Sequence, residues 1–399
     1  MDRVQLQTIA RECATPVYLF DIDELISRIK MVKQELAPSI QLCYAMKANP
    51  FLIKPIQTCV DKYEVCSMGE FRICERAGIA MEQIVLSGVN KEKEDILSIM
   101  ETYGSKGTYT IESLEQLELL EYCAAQTGNV IRALVRLTSG NQFGVDEEDI
   151  CTIIEKRKAY PHISFVGLQY YSGTQKKKME KIEKELRYLD TFLQRLKEES
   201  GYEAEELEYG PGLYVPYFQT DEETDDGELL QGLRNLLSEL KYTGKITLEM
   251  GRYLSAYCGY YLTSIADQKK NHGQQYAIVD GGINHLTYYG QAMAMKTPYY
   301  QHVHKNVQKN EGDVTEENWN ICGSLCTVND VIVKQLPLKD AAVGDIIIFE
   351  RTGAYAVTEG IYLFLSRDLP QILFYSKENG IQMIRERKQT DIMNGMAEK

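Results

Sequence analysis

Short apolar runs alternate with longer amphipathic stretches along the chain from residue 40 to residue 252. Many of the runs are rich in β-branched and aromatic residues, and such alternation is typical of repeated units of one strand and one helix. Eight runs are predicted to be strands: residues 40–47, 63–67, 83–88, 108–113, 131–138, 163–171, 206–210 and 246–252. Helical patterns lie between them, for example at residues 68–78, 113–128 and 176–199.

The number of these units favours a closed barrel. Eight parallel strands, each followed by a helix, are what a (β/α)8 barrel requires. An open, doubly wound sheet is the alternative architecture. The Gly-x-Gly-x-x-Gly fingerprint after an early strand, which would favour the open sheet, is absent from the sequence.

The pattern changes after residue 252, where strand-like runs are separated by glycine, proline and asparagine and few helical stretches occur. We therefore predict a second, β-rich domain. Residues 17–21 are also strand-like, so we expect the N-terminus to pack with the C-terminal domain. The predicted fold class is α/β, with a (β/α)8 barrel at residues 18–262 and a β-rich domain formed by residues 1–17 and 263–399.

Charge and composition exclude several classes of protein. The 399 residues include 44 Lys and Arg against 58 Asp and Glu, and this net charge of −14 disfavours a nucleic acid partner. No apolar run approaches the roughly 18 residues of a membrane span, so no membrane association is expected. The N-terminus has no apolar signal region, which predicts a cytoplasmic protein. The ten cysteines form no Cys-x-x-Cys pair, and most are expected to be buried thiols.

The five histidines give no metal site by sequence. His302 and His304 form a His-x-His pair, but no cysteine or carboxylate stands nearby at ligand spacing. We therefore expect no bound metal and interpret the histidines as surface residues.

Unusual polar residues fall at the C-terminal ends of the predicted strands, where barrel enzymes place their sites. They are Lys47, Arg136, Gln169, the turn Gly210-Pro211-Gly212, Glu249 and Arg252. A lysine in an apolar strand is costly unless it is paired or used chemically, and Schiff-base chemistry is the natural use of such an amine.

Motifs along nearly the whole chain resemble one enzyme family. Tyr44-Ala45-Met46-Lys47-Ala48-Asn49 resembles the lysine motif of the fold-type III enzymes that depend on pyridoxal 5′-phosphate, the group of diaminopimelate, ornithine and arginine decarboxylases. The resemblance continues through residues 64–70, 249–252, 280–285, 323–330 and 353–355. The string 167–175 is similar to that of a subgroup associated with carrier-protein and polysaccharide gene clusters.

The resemblance implies pyridoxal 5′-phosphate as the cofactor and a role for each motif residue. Lys47 would hold the cofactor covalently. Glu249 would keep the ring nitrogen protonated, which favours decarboxylation over racemisation, because the resembling racemases place an arginine there. Cys326 would donate a proton after carbon dioxide leaves and would be supplied across a homodimer interface. The expected cofactor-binding residues are Lys47, Glu64, Arg136, Gln169, Thr174, Gly210, Gly212, Glu249, Gly251, Arg252 and Tyr355, and the expected substrate-binding residues are Thr327 and Tyr355.

Four departures from the family pattern concern the cofactor site and the substrate. Gln169 stands where the family has a histidine against the cofactor ring, and Pro211 removes one N–H from the phosphate-binding turn. Thr327 follows Cys326, where enzymes acting on diamino acids use an acidic residue. Residues 283–289 lack the arginine that diaminopimelate decarboxylases use for a distal carboxylate.

These departures favour an amino acid that is masked at its side-chain end, for example by a thioester to a carrier protein. A decarboxylase of a free amino acid is one alternative hypothesis, and a cofactor-binding, non-catalytic regulator is another. The retained Lys47, Glu249 and Cys326 argue against the regulator. Lys176-Lys177-Lys178 is either a docking patch for a carrier protein or a solvated helix start.

Overall fold

The computed structural model describes residues 1–305 and 315–396. The chain begins with α1 (Arg3–Glu12), β1 (Val17–Asp21) and α2 (Ile22–Glu35). Within the described residues, eight parallel strands then close into a barrel, and their order around the barrel is their order along the chain. They are β2 (Gln41–Ala45), β3 (Lys62–Val65), β4 (Ile84–Leu86), β5 (Thr108–Ile111), β6 (Ile131–Leu137), β7 (Ile163–Tyr171), β8 (Glu206–Gly210) and β9 (Lys245–Met250).

Each of these strands coincides with one of the eight predicted apolar runs, and the predicted barrel is confirmed. The helices between and after them are α3 (Met68–Ala77), α4 (Lys93–Tyr103), α5 (Leu114–Thr127), α6 (Glu147–Glu155), α7 (Met179–Ser200), α8 (Asp226–Ser238) and the short α9 (Arg252–Ser255). Ser67 and Ser113 cap α3 and α5, and each accepts a hydrogen bond from the third residue beyond it.

The β-rich part contains the remaining described strands and a short terminal helix. These are β10 (Gly259–Asn271), β11 (Gln274–Val279), β12 (Tyr300–Val303), β13 (Glu316–Cys322), β14 (Val331–Lys339), β15 (Ile346–Glu350), β16 (Gln371–Ser376), β17 (Gly380–Arg385) and α10 (Asp391–Asn394). The sheet order is β14-β13-β11-β10-β1-β16-β17, and β15 pairs with β10 and β12. The N-terminal strand therefore lies inside the C-terminal sheet.

Residue contacts divide the chain into two units. The β-rich unit consists of Met1–Ser27, Pro216–Glu223 and Leu254–Lys399, and the barrel unit consists of Arg28–Val215 and Thr224–Tyr253. The boundaries differ from the sequence-based division at residues 18 and 262, because β1 and β10 pair with each other in the β-rich unit.

Burial in the β-rich unit follows the strand pattern. Leu6 and Ile9 of α1 pack in one apolar cluster with residues of β1, β10, β15 and β16.

His285 is also buried in the β-rich unit, and its two ring nitrogens contact the Tyr261 hydroxyl at 3.0 Å and the Asp368 carbonyl at 2.8 Å. Burial lowers the pKa of His285 to about 4. The expectation that all five histidines lie on the surface is wrong for this one.

None of the helices in the described residues has both the length and the apolar composition that crossing a membrane requires.

Candidate active site

Lys47 lies at the C-terminal end of the barrel, in the 3₁₀ turn Met46–Ala48 that follows β2. Its Nζ is 2.6 Å from Glu64 Oε2 and 3.4 Å from Glu249 Oε1. The lysine side chain is 38% exposed, whereas the Glu64 and Glu249 side chains are 2% and 8% exposed. Because the closed barrel pairs β2 with both β3 and β9, residues from distant parts of the sequence meet at this lysine.

The two carboxyl groups differ in their ionisation. Burial alone would raise the pKa of Glu64, but the charge and the hydrogen bond of Lys47 outweigh burial and hold the pKa below its usual range. Burial and the nearby charge of Glu64 raise the pKa of Glu249 to about 7, against a smaller opposing effect of Lys47. Glu64 is therefore the counterion of Lys47, and Glu249 exchanges a proton near neutral pH.

Gln169 is hydrogen-bonded to another buried carboxyl group of the barrel, that of Glu208. Its Nε2 donates to Glu208 Oε1 at 2.7 Å and to Ser87 Oγ at 3.3 Å. Burial, followed by the charge of Glu249, raises the pKa of Glu208 to about 8. Our sequence reasoning missed Glu208, although a signal was available: Glu206 and Glu208 alternate along the strand, so both lie on the same face of β8.

Arg136 forms an ion pair with another residue that our sequence reasoning missed. Its Nη1 donates to Glu112 Oε2 at 3.0 Å, and the other oxygen of Glu112 accepts the Gly88 N–H at 3.0 Å. Lys91 lies beside them and donates to the Gly88 carbonyl at 2.8 Å and to Gln116 Oε1 at 3.0 Å. Burial lowers the pKa of Lys91 to about 8, so this amine is a second candidate, besides Lys47, for a covalent bond to an aldehyde.

The loops after β7 and β8 are joined and meet the end of β9. Arg252 Nε donates to Thr174 Oγ1 at 3.3 Å. The Gly212 carbonyl accepts the Lys176 N–H at 2.9 Å. Gly212 has φ +61°, and a Cβ there would lie 2.0 Å from the Gly173 carbonyl oxygen, so only glycine fits. The three loops thus gather Thr174, Gly212 and Arg252.

Two further glycines allow close approaches in the same region. A Cβ on Gly251 would lie 2.7 Å from the Ala48 Cβ, so glycine lets the end of β9 approach the Lys47 turn. A Cβ on Gly210 would lie 2.5 Å from Cδ2 of Tyr171 at the end of β7. Close packing within the barrel unit therefore explains why residues 210 and 251 have no side chain.

Lys176 is not part of a surface patch. Its side chain is 1% exposed and its Nζ is 2.5 Å from Glu185 Oε2, which also accepts the Tyr209 hydroxyl at 2.7 Å. The Lys177 ammonium lies 4.3 Å from the centre of the Tyr214 ring. The hypothesis of a basic docking patch at Lys176-Lys177-Lys178 is therefore wrong for Lys176, whose side chain is buried beside β8 and α7.

Cys326 and Thr327 belong to the β-rich unit, in the loop between β13 and β14. Asp330 holds this loop, because its carboxylate accepts the Leu325 N–H at 2.7 Å and the Ile283 N–H at 2.9 Å. Cys326 is exposed. The anchored loop therefore presents its thiol to the surroundings.

Tyr355 also lies in the β-rich unit, in a turn after β15. It has φ +65°, a left-handed conformation that a tyrosine rarely adopts. Its carbonyl accepts the N–H groups of Thr358 at 2.8 Å and Glu359 at 3.0 Å, which hold the turn. Such conformations are found more often at functional sites than elsewhere.

Comparisons with known proteins agree on one family. The model described as "Pyridoxal-dependent decarboxylase, pyridoxal binding domain" matches residues 22–256. The L-glutamyl-[BtrI acyl-carrier protein] decarboxylase of Niallia circulans is 27% identical, covering 98% of this chain and 95% of the relative. The diaminopimelate decarboxylase of Aquifex aeolicus is 24% identical over 98% of this chain and 93% of its own.

A third relative and a solved structure extend this similarity. The Staphylococcus aureus 2-[(L-alanin-3-ylcarbamoyl)methyl]-2-hydroxybutanedioate decarboxylase is 23% identical over 90% of this chain and 94% of its own. The diaminopimelate decarboxylase of M. jannaschii, solved with L-lysine, superposes with a TM-score of 0.84 at 23% identity and covers 98% of this chain and 94% of that one. This structural likeness concerns the fold.

The barrel residues fit pyridoxal 5′-phosphate by their chemistry. The cofactor requires an amine for its aldehyde, a partner for its ring nitrogen and donors for its phosphate. Lys47 provides the amine, and Glu249 provides a carboxyl group beside it. The hydroxyl of Thr174, the backbone of Gly212 and the guanidinium of Arg252 provide donors on adjoining loops. The residues at this end of the barrel are therefore of the kinds that the cofactor requires.

Proposed function

Because this chain belongs to the pyridoxal-dependent decarboxylase family, we propose that it removes the α-carboxyl group of an amino acid masked at its side-chain end. The chain is an amino-acid decarboxylase that uses pyridoxal 5′-phosphate. The proposed substrate is a glutamyl-type group joined to a carrier protein through its side-chain carboxyl group. The neutral Thr327 directly after Cys326 is the single observation that carries this proposal.

The barrel residues have distinct proposed roles. When bound, pyridoxal 5′-phosphate supplies a sink for the electrons of the bond between Cα and the carboxylate. Lys47 holds the cofactor covalently and is kept in place by Glu64 at 2.6 Å. The Glu249 carboxyl group, 3.4 Å from the Lys47 amine, would hold a proton at the ring nitrogen. Arg252 and Thr174 bind the phosphate.

Charge around the β-rich loops supports a substrate without a free ionic end. The resemblance to diaminopimelate decarboxylases implies an acid after the cysteine and an arginine after residues 280–282, but this chain has Thr327 and no arginine at residues 283–289. His285, which lies in that stretch, is buried and hydrogen-bonded within its own unit, so it is not a substitute. Without these two groups, a charged substrate end would lack the partners that the resemblance implies in diaminopimelate decarboxylases.

The names of two relatives point in the same direction. One is named for a glutamyl group on an acyl-carrier protein, and another for an alanin-3-yl group that is joined through a carbamoyl link. The first name describes an amino acid joined to a carrier protein, and the second describes one substituted at its side chain. Other relatives are named diaminopimelate decarboxylases, which keeps a free diamino acid as the competing substrate class.

A substrate panel tests the proposal. We expect carbon dioxide release from a glutamyl group thioesterified through its side chain to a carrier protein, with kcat/KM at least about 100-fold above that for free glutamate or diaminopimelate. A small thioester of the same glutamyl group is the matched control, because it keeps the mask and removes the carrier. Fastest turnover of a free diamino acid would contradict the proposal.

Substitution of Glu249 tests its role in decarboxylation. Glu249→Gln keeps the size of the side chain but removes the proton that it shares, so we expect a loss of about 10²–10³-fold in kcat. The measurement is carbon dioxide release under saturating substrate and cofactor. Glu208→Gln is the control. Glu208 is also a buried carboxyl group, but it accepts a hydrogen bond from Gln169, and kcat of this variant should fall much less than that of Glu249→Gln. Equal losses in the two variants would count against the assignment.

We propose that the protein is a homodimer with shared active sites. The surface beside the Cys326 loop supports this proposal. Arg367 donates to the Ser324 carbonyl at 2.9 Å and ties this loop to the segment 361–365. That segment exposes large apolar side chains; they are Ile361, Leu363, Phe364 and Leu365, with exposed fractions of 45–50%. Val328, two residues after Cys326, is 93% exposed. Several exposed large apolar side chains on segments that Arg367 joins are typical of an interface.

A further inference from the structure

His302 and His304 share one face of an edge strand, with a carboxylate opposite them. His302 lies in β12 and His304 directly after it, and residues two apart on a strand point to the same side. Val303 pairs with Ile346 across the antiparallel ladder between β12 and β15, which places Asp345 opposite His304. Asp345 is 41 residues from His304 in the sequence, so the spacing of residues along the chain did not reveal this carboxylate.

The side chains converge on a single oxygen atom. His302 Nε2 and His304 Nδ1 are each 3.0 Å from Asp345 Oδ2. The three ligand atoms lie within 4.8 Å of one another. Zinc bonds of about 2.0–2.1 Å in tetrahedral geometry place neighbouring ligand atoms about 3.3 Å apart, so an ion fits between them after small movements.

Asp345 is held in place independently of the histidines. Its Oδ1 accepts the Lys305 N–H at 3.1 Å and its Oδ2 accepts the Ala342 N–H at 3.0 Å. The Asp345 side chain is 4% exposed and that of His302 is 10% exposed. A carboxylate oriented by backbone donors is the arrangement that preorganises a metal site.

We propose that His302 Nε2, His304 Nδ1 and Asp345 Oδ2 bind a divalent first-row transition-metal ion of the zinc class. Two imidazoles and one carboxylate suit such ions better than magnesium or calcium, which prefer oxygen ligands only. Each histidine would bind the ion through an unprotonated nitrogen, in the tautomer that carries its proton on the other ring nitrogen.

The remaining coordination position faces a cleft. Both histidines line a cleft of about 380 Å³ together with Arg3, Tyr300 and Glu316, all within the β-rich unit. Its volume admits water or a small anionic ligand at the fourth position of the ion. Three protein ligands with one open position are typical of an exchangeable or catalytic site rather than a closed structural one.

Cobalt(II) is the probe because its visible absorption reports coordination. The holoenzyme is treated with a chelator, freed of excess cofactor and titrated with cobalt(II), and zinc(II) binding is measured in parallel by equilibrium dialysis. We expect one ion per chain and intense visible bands of four-coordinate cobalt. His302→Asn and His304→Gln should each weaken binding at least about 100-fold, because each removes one of three ligands.

His162→Gln is the matched control. His162 Nδ1 also contacts a carboxylate, at 2.7 Å from Glu121 Oε1, but among the described residues no second histidine converges on that carboxylate to complete a set of three ligands. Metal binding by this variant should equal that of the unmodified protein. Absence of stoichiometric binding in the unmodified protein, or unchanged binding in both His302→Asn and His304→Gln, would overturn the proposal.

X-ray absorption of the zinc-loaded, unmodified protein keeps the test decisive if a variant does not fold. The zinc shell should contain nitrogen and oxygen only, with the multiple-scattering signature of two imidazoles. The chain has ten cysteines, so a shell that contains sulfur would place the ion elsewhere and would refute the site.

Discussion

Lys47→Arg is expected to abolish decarboxylation, with a loss of about 10⁴-fold or more in kcat. The arginine keeps a positive charge beside Glu64 and Glu249, so the buried carboxylates retain a partner and the fold should persist. A guanidinium remains protonated and cannot form the covalent bond to the cofactor. The variant therefore separates the chemistry of the amine from its charge. The measurement is carbon dioxide release, with the circular dichroism spectrum as the check on folding.

Covalent labelling then decides between Lys47 and its competitor Lys91. Burial lowers the pKa of Lys91 to about 8, so this amine is the control for covalent labelling at a site other than Lys47. Borohydride reduction of the holoenzyme followed by peptide mapping should mark Lys47, and Lys91→Met should leave that mark in place. A mark on Lys91, or full activity of Lys47→Arg, would refute the assignment.

Cys326→Ala should lower the rate of product formation by about 10²–10⁴-fold, the usual contribution of a positioned proton donor. Cys322→Ser is the matched control, since Cys322 stands four residues earlier, at the end of β13, and its thiol lies 3.8 Å from the Asn320 carbonyl. We expect the control to keep its activity. Similar losses in both variants would indicate a disturbed loop rather than a missing donor.

Mixed dimers test whether the thiol comes from the partner subunit. Lys47→Ala and Cys326→Ala chains should each have little activity alone, but with shared sites a heterodimer of the two has one site with an intact lysine and an intact cysteine. Random subunit exchange should restore about a quarter of the unmodified activity, because half of the dimers are mixed and each has one working site. No recovery after exchange verified by mass spectrometry would show that each chain builds its own site.

The barrel could be predicted because its strands are short, apolar and regularly spaced. Strands that are covered on both faces are rich in apolar residues, and this enrichment is visible in a single sequence even where polar residues interrupt it. The strand boundaries were less certain, as Lys47 shows: it was expected to end the first barrel strand, but β2 ends at Ala45 and Lys47 lies in the following turn. End residues carry little apolar signal, because turn geometry rather than burial decides them.

Buried charges were predicted poorly. Lys176 lies in a run of three lysines that is typical of solvated surface, yet Glu185 and Tyr209 supply it with partners inside the barrel unit. Lys91 was missed for the same reason, since a buried polar residue in a loop is identified only by the partners that satisfy it. Such partners come from other strands and loops and leave no periodic pattern in the sequence.

The sequence by itself determined the barrel, the β-rich domain and the motif residues, because apolar periodicity and local motifs are properties of neighbouring positions. The tertiary structure decided which of those residues meet. Closure of β9 against β2 brings Glu249 to Lys47, and the pairing of β12 with β15 brings Asp345 to two histidines. Distances of this kind depend on strand register across long stretches of chain, and so do the pKa values that follow from them.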